Sequence, residues 1–362
     1  MSGTIPAGAP RDGRENGGAP DGAAGARRPE HAPDDRPWED GTPESSTPEN
    51  STPGDSASEG RTPENSASAD RTPEDRTPED RTPKDKLPRA DAALDADGRL
   101  TVTLRGLRDT AAPVLHLVLR PPKGARETPA HALPLRPAPG APGRWRAEVP
   151  EAPALAEGRW DAFVCEAPDA PRQRVVPGVR DLRVLAGGAA VHAPGGRPLA
   201  VRLPYATKDG YFAVRAWLRP ALAEAGELRV TADGFAVRGR LFGAAAGLGG
   251  AAVLRLRGSG GATTVKAPLC DEGDGAFSFT AAWSALTPVP EPGPPAVWDV
   301  FVKPSLKARR VRVARLLDDV ADKKGVFVYP DTEAGGVTFR PYYTLDNDLS
   351  VQVTPPSEEP GR

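Results

Sequence analysis

Trp160-Asp161-Ala162-Phe163-Val164 and Trp298-Asp299-Val300-Phe301-Val302 are copies of one pentapeptide that differ at a single position. Successive side chains of an extended chain point to opposite faces, so Trp160, Ala162 and Val164 share one face, as do Trp298, Val300 and Val302. Both faces are wholly apolar, and each pentapeptide reads as a strand with its Trp side against a core. Further along, Pro204-Tyr205-Ala206-Thr207-Lys208-Asp209-Gly210-Tyr211-Phe212-Ala213-Val214 aligns without a gap on Pro341-Tyr342-Tyr343-Thr344-Leu345-Asp346-Asn347-Asp348-Leu349-Ser350-Val351. The separation from Trp160 to Pro204 is 44 residues and from Trp298 to Pro341 is 43, so the two copies stay in step over a long stretch.

Upstream of the pentapeptides the match continues in shorter blocks. Gly98 to Leu107 answers Gly226 to Phe235, Leu115 to Arg120 answers Val253 to Arg257, Pro134-Leu135 answers Pro268-Leu269, and Gly143-Arg144-Trp145 answers Gly275-Ala276-Phe277. On this alignment the second copy has an added stretch, Phe235 to Phe242, long enough for one extra strand. Every block alternates and is bounded by Gly, Pro, Asp or Asn, and only Arg315 to Lys324 and Pro220 to Ala225 have a helical look. The predicted fold is all-β: two tandem antiparallel β-sandwich modules over 98–217 and 226–353, behind a disordered arm over 1–90. The modules are immunoglobulin-like in architecture only, because the cysteine pair that flanks the core Trp of antibody domains is missing.

The arm carries Thr-Pro pairs beginning at Thr42, Thr47, Thr52, Thr62, Thr72, Thr77 and Thr82, with Ala57 and Ala67 at the two skipped positions. Each Pro removes a backbone donor and disfavours helix at the Thr before it, which predicts an extended, solvated tether. Phosphorylation of those threonines beside Arg61, Arg71, Arg76 and Arg81 is the sharper alternative, and Trp38 is the arm's one aromatic anchor.

Lys and Arg (47) nearly cancel Asp and Glu (49), which argues against a general affinity for nucleic acid. The first twenty residues have no apolar h-region and no apolar run reaches membrane-spanning length, so the expectation is a cytoplasmic protein without a membrane span. Cys165 and Cys270 fall at unrelated positions of the two copies and are expected to be reduced thiols. Ile5 is the only isoleucine and Arg outnumbers Lys, the codon bias of GC-rich genomes such as those of actinobacteria.

No catalytic, cofactor or metal set emerges. His31, His116, His131 and His192 stand apart from one another and from either Cys. Gly187-Gly188 and Gly258-Ser259-Gly260-Gly261 lack the Lys and Ser or Thr that complete a phosphate loop, and Ser259 lacks a nucleophile elbow. Asp271-Glu272-Gly273-Asp274-Gly275 reads as an acidic hairpin turn rather than a calcium loop. The basic run Lys303, Lys307, Arg309, Arg310, Arg312 and Arg315 either faces an anionic polymer or guards an edge strand, with Val311 and Val313 inward. The candidate ligand-binding residues are Tyr205, Thr207, Asp209 and their copies Tyr342, Thr344 and Asp346, since aromatic faces beside carboxylates suit sugars. The alternative is that Thr and Asp tie a hairpin turn while Tyr ties a corner.

On Trp160 to Val164, Trp298 to Val302 and the closing Arg340 to Val351, the modules resemble the β-sandwich appendages of wall teichoic acid glycosyltransferases and of related actinobacterial glycosyl- and glycerophosphotransferases. The resemblance covers both modules. It implies modules that assist oligomerisation or hold polymer near the enzyme, with the transferase chemistry in a separate domain for which the arm has no room. The expected function is a non-catalytic accessory protein that binds a cell-envelope glycopolymer or its biosynthetic transferase. The rivals are a transferase subunit with activity of its own and a protein-binding adaptor using exposed sheet edges.

Overall fold

The computed structural model describes residues 83–108, 112–121, 130–167, 170–186, 198–286 and 294–355. The Thr-Pro threonines, Trp38, His31, His192 and Gly187-Gly188 lie outside them. The first half has β1 (Arg89–Leu94), β2 (Leu100–Arg105), β3 (Val114–Leu119), β4 (Ala130–Pro134), β5 (Arg136–Pro137) and β6 (Arg144–Glu148). It continues with β7 (Gly158–Cys165), β8 (Gln173–Arg174), β9 (Val176–Asp181), β10 (Leu199–Ala206) and β11 (Phe212–Arg219). The second half has β12 (Leu222–Val230), β13 (Gly234–Phe242), β14 (Ala251–Leu256), β15 (Thr264–Pro268), β16 (Cys270–Gly273) and β17 (Ala276–Ala282). It ends with β18 (Ala296–Lys303), β19 (Val311–Ala314), β20 (Thr332–Ala334), β21 (Val337–Tyr343) and β22 (Leu349–Thr354). The described residues contain no α-helix and form an all-β fold with three sheets.

One sheet of the first half runs β5-β6-β2-β1-β9, and the other runs β10-β11-β7-β3-β4 with β8 beside β7. Leu100, Val102 and Leu104 from the former and Leu115, Leu117, Trp160, Ala162 and Val164 from the latter join one core, each fully buried. In the second half β16-β17-β13-β12 continues through β19 into β18-β22-β21-β20, so a single sheet contributes both sides of the second core. Trp298, Val300 and Val302 are fully buried there, so period-two alternation assigns the inner face correctly in both copies.

The strand pairing corrects the opening of the repeat. β1 pairs antiparallel with β2 and parallel with β9, while β12 pairs antiparallel with β13 and parallel with β19. Therefore β12 is the counterpart of β1 and β13 the counterpart of β2, one strand out of step with the match of Gly98 to Gly226. Phe235 to Phe242 is not an extra strand, because its equivalent in the first half is β2. The two parallel pairings also mean that neither copy is purely antiparallel.

Neither helical expectation holds. Leu222 to Ala225 lies in β12, and 315–324 is an irregular segment whose backbone donors are taken by side chains. The N–H groups of Leu316 and Leu317 donate to the Glu224 carboxylate at 2.8 and 2.9 Å, that of Val320 to Asp318 Oδ1 at 2.9 Å, and that of Lys323 to Asn347 Oδ1 at 3.1 Å. With those donors spent, no helical ladder can form. Val311 and Val313 are buried as expected, but β19 is not an edge, since β18 flanks it on one side and β12 on the other.

Candidate functional site

The two closing turns are built alike. Thr207 N–H donates to Tyr211 O at 2.8 Å, and Thr207 Oγ1 accepts from Tyr211 N–H at 3.1 Å. Thr344 N–H donates to Asp348 O at 2.8 Å, and its Oγ1 accepts from the N–H groups of Asp346 and Asp348, both at 3.2 Å. Gly210 and Asn347, matched in the alignment, both sit at positive φ (75° and 61°), the conformation these two residue types tolerate best. The hydroxyls of Thr207 and Thr344 are thus engaged in the turns themselves.

The acidic members of the two turns differ. Asp209 offers its backbone carbonyl to Lys84 Nζ. In the second turn, the Asp346 carboxylate accepts from Arg215 Nη2 at 2.7 Å, and Leu345 O accepts from the same nitrogen at 2.8 Å. Asp346 O also accepts from Trp217 Nε1 at 3.2 Å, and Asp348 Oδ1 accepts from Arg219 Nη1 at 2.7 Å. The closing turn of the second half is therefore seated on β11 of the first. Ala314, Leu316 and Leu317 strengthen that joint by belonging to the same apolar cluster as Leu199, Val201, Leu203 and Trp217. Burying each of those leucines is worth about 1.5–3 kcal/mol.

Tyr205 and Tyr342 sit on the sheet faces opposite the core, in rows with Asp161 and Asp299. Tyr205 is opposite Ala213, which is opposite Asp161; Tyr342 is opposite Ser350, which is opposite Asp299. Each of these carboxylates is clamped by two arginines. Asp161 accepts from Arg120 Nη2 at 2.7 Å with Arg174 Nη1 at 3.5 Å. Asp299 accepts from Arg257 Nη2 at 2.6 Å, Arg312 Nη2 at 2.8 Å and Ser350 Oγ at 3.0 Å. Burial pushes the Asp299 carboxyl up, but the hydrogen bonds from Arg257 and Arg312 outweigh it and hold the group at about 2.

Two residues along each strand, Phe163 and Phe301 extend these faces. Arg174 lies 4.5 Å from the Phe163 ring centroid, and Arg312, Arg255 and Arg310 lie 4.9, 5.2 and 5.7 Å from that of Phe301. Both copies thus present an Arg–Asp–Arg clamp with Phe and Tyr beside it. Sequence reasoning used the pentapeptides only for their inward Trp and passed over the outward Asp and Phe. A signal was there: Arg174 follows Asp161, and Arg312 follows Asp299, at the same interval of thirteen residues.

Other expected features resolve simply. Asp271 Oδ1 accepts from Gly273 N–H at 3.0 Å in a hairpin turn. Ser259 Oγ donates to Leu256 O at 2.7 Å within a loop. Burial lowers the pKa of His116 and of His131, and the latter stands edge-on to Trp160 at 5.1 Å. Among the described residues no group of three or more His, Cys, Asp or Glu could hold a metal, and no helix is long and apolar enough to cross a membrane.

No family model and no curated protein matches the chain. Among solved structures it is similar to S. aureus TarS. The identity is 15% and the TM-score 0.31, over 46% of this chain and 29% of that one. A TarS fragment, 217–571 of that protein, is 11% identical with a TM-score of 0.26, over 54% of each chain. The chain thus spans 29% and 54% of the structures it matches, and both likenesses are too distant to carry a role across.

Proposed function

We propose that the chain is a non-catalytic accessory protein whose two immunoglobulin-like β-sandwich modules bind a cell-envelope glycopolymer, or the transferase that makes it, on their outer faces. The observation that carries this reading is the duplicated clamp. A core strand repeats its inward side chains for packing, whereas packing alone makes no demand that Asp, Phe and two arginines recur on the outward side. Guanidinium groups over aromatic rings offer cation–π contact, hydrogen bonds and positive charge together, a combination suited to a polar polymer with anionic groups. Tyr205 and Tyr342 belong to that surface. Thr207, Asp209, Thr344 and Asp346 act in this reading by shaping the turns that border it.

The non-catalytic part of the proposal is supported by the way the carboxylates are used. Asp161, Asp299, Asp346 and Asp348 each face at least one arginine, so their oxygens are engaged in ion pairs within the fold rather than directed into a cleft. A cytoplasmic setting fits two cysteines that form no disulfide.

Retention of the purified chain on an immobilised glycerol-phosphate polymer tests the reading. Wild type is expected to be retained, and a Phe301→Ala, Tyr342→Ala variant that still folds is expected to elute earlier. Unchanged elution of that variant would remove the outer face from the proposal, and turnover of an activated sugar or CDP-glycerol donor by the purified protein would end the accessory reading.

A further inference from the structure

Arg159 of β7 and Arg215 of β11 stand directly opposite each other across an antiparallel pair. Period two puts both on the outer face, in the row beside Tyr205, Ala213 and Asp161. Like charges placed directly opposite repel. Arg215 is 3% exposed, and while its Nη2 is engaged by Leu345 and Asp346, its Nε is buried without a partner. The Tyr205 hydroxyl is also buried without a partner. Arg159 makes no ion pair with a carboxylate among the described residues, and the nearby Asp161 is already shared by Arg120 and Arg174. The register therefore places three donors beside one another on one face, and two of them, Arg215 Nε and the Tyr205 hydroxyl, have no hydrogen-bond partner. Arg159 and Tyr205 are only half-buried, so this row of the face borders solvent at these two residues.

The second half lacks this feature. Its pair at the same register position is Val297 opposite Gln352. The arginine pair is thus no requirement of the fold, and buried donors without partners are rare enough to need a reason.

We propose that a phosphate group binds between the Arg159 guanidinium, Arg215 Nε–H and the Tyr205 hydroxyl, as the phosphodiester of the bound polymer or as free phosphate. Arginine suits a tetrahedral oxyanion because its fixed N–H fork matches two oxygens at once. The inference deepens the binding reading above and rests on it for the polymer. Because Arg215 also holds the closing turn of the second half, an occupied site sits at the joint between the two halves and stiffens it.

The test is thermal melting of the full chain titrated with inorganic phosphate against chloride at matched ionic strength, followed by glycerol-phosphate polymer. Phosphate is expected to raise the Tm of wild type. Arg159→Gln is expected to melt above wild type in chloride, because the facing charges are gone, and to lose the phosphate response. Tyr205→Phe is expected to melt no lower than wild type in chloride, because an unpartnered buried hydroxyl is removed, and to bind phosphate about tenfold more weakly, the loss of one hydrogen bond to a charged acceptor. A wild type that does not respond to phosphate, or an Arg159→Gln protein that melts lower in chloride, overturns the site. Polymer retention without a phosphate response sinks this site and leaves the binding reading standing. A phosphate response without retention does the reverse.

Discussion

The outer face of β10 and β11 and the outer face of β21 and β22 occupy equivalent places in the two halves and have opposite character. In the first, Val201 faces Trp217 and Leu203 faces Arg215, and all four are at most 3% exposed. In the second, Thr338 faces Thr354 and Arg340 faces Gln352, with Arg340 exposed. A sheet face that would ordinarily be wet is dry in the first half because Leu316, Leu317 and the turn around Asp346 cover it. Nothing equivalent follows the second half within the described residues, and its face is polar. The composition of an outer face thus records whether a neighbour sits on it, while the inner faces, with Trp160 and Trp298, stay alike.

Trp217→Ala puts the comparison under the most strain. Emptying that fully packed position should cost about 3–5 kcal/mol in chemical denaturation, whereas Thr354→Ala at the equivalent place should stay within about 0.5 kcal/mol. Equal effects would show that the two faces are not different environments.

The joint should also titrate. Burial raises the Glu224 carboxyl from 4.5 to about 7, only partly opposed by the N–H groups of Leu317 and Leu316 and by Lys323, while Asp318 adds to the rise. Because the folded-state pKa lies above the unfolded one, the contribution of this group is fully present below 4.5 and is lost as pH rises through about 7. Folding free energy should fall by up to about 3 kcal/mol over that window, and Glu224→Gln should flatten the fall in a pH series of urea melts.

Asp299 works in the opposite sense. Held at about 2, it contributes stability that is present above 3.8 and is lost as pH falls through about 2, so Asp299→Asn should flatten the acid limb. The smallest effects belong to the turns. Thr207→Val and Thr344→Val should each cost about 1 kcal/mol, because in both turns the hydroxyl accepts from the N–H four residues on. A large inequality between them would break the equivalence of the closing turns.

How much of this was legible follows from which contacts are local. Trp160 and Trp298 announce their inward direction because alternation is a property of the strand itself. The Thr-x-Asp turns are likewise short-range, so Thr207 and Thr344 could be assigned a turn role from spacing. The opening of the repeat slips by one strand because Leu-x-Val alternation recurs in β2 and β12 and does not say which strand pairs with which. Arg315 to Lys324 looked helical since adjacent leucines flanked by charge are ambiguous, and only the distant Glu224 and Asn347 decide how that backbone is satisfied. The clamps were missed for a similar reason: Arg120 and Asp161 are 41 residues apart, and Arg257 and Asp299 are 42. The spacing alone makes Asp346 a ligand-binding candidate, and its tie to Arg215 across 131 residues is invisible without coordinates.

The covered face of β10 and β11 has a consequence during synthesis. A ribosome that has released residues only as far as β11 presents Leu199, Val201, Leu203 and Trp217 as a bare apolar surface, and the segments that shield it, 314–317 and 344–348, are among the last of the folded region to be made. Nascent or truncated chains ending near Arg219 are therefore the species most prone to clump or to recruit a chaperone. The second half owes no such debt to sequence beyond it, since its matching face is already polar when it emerges.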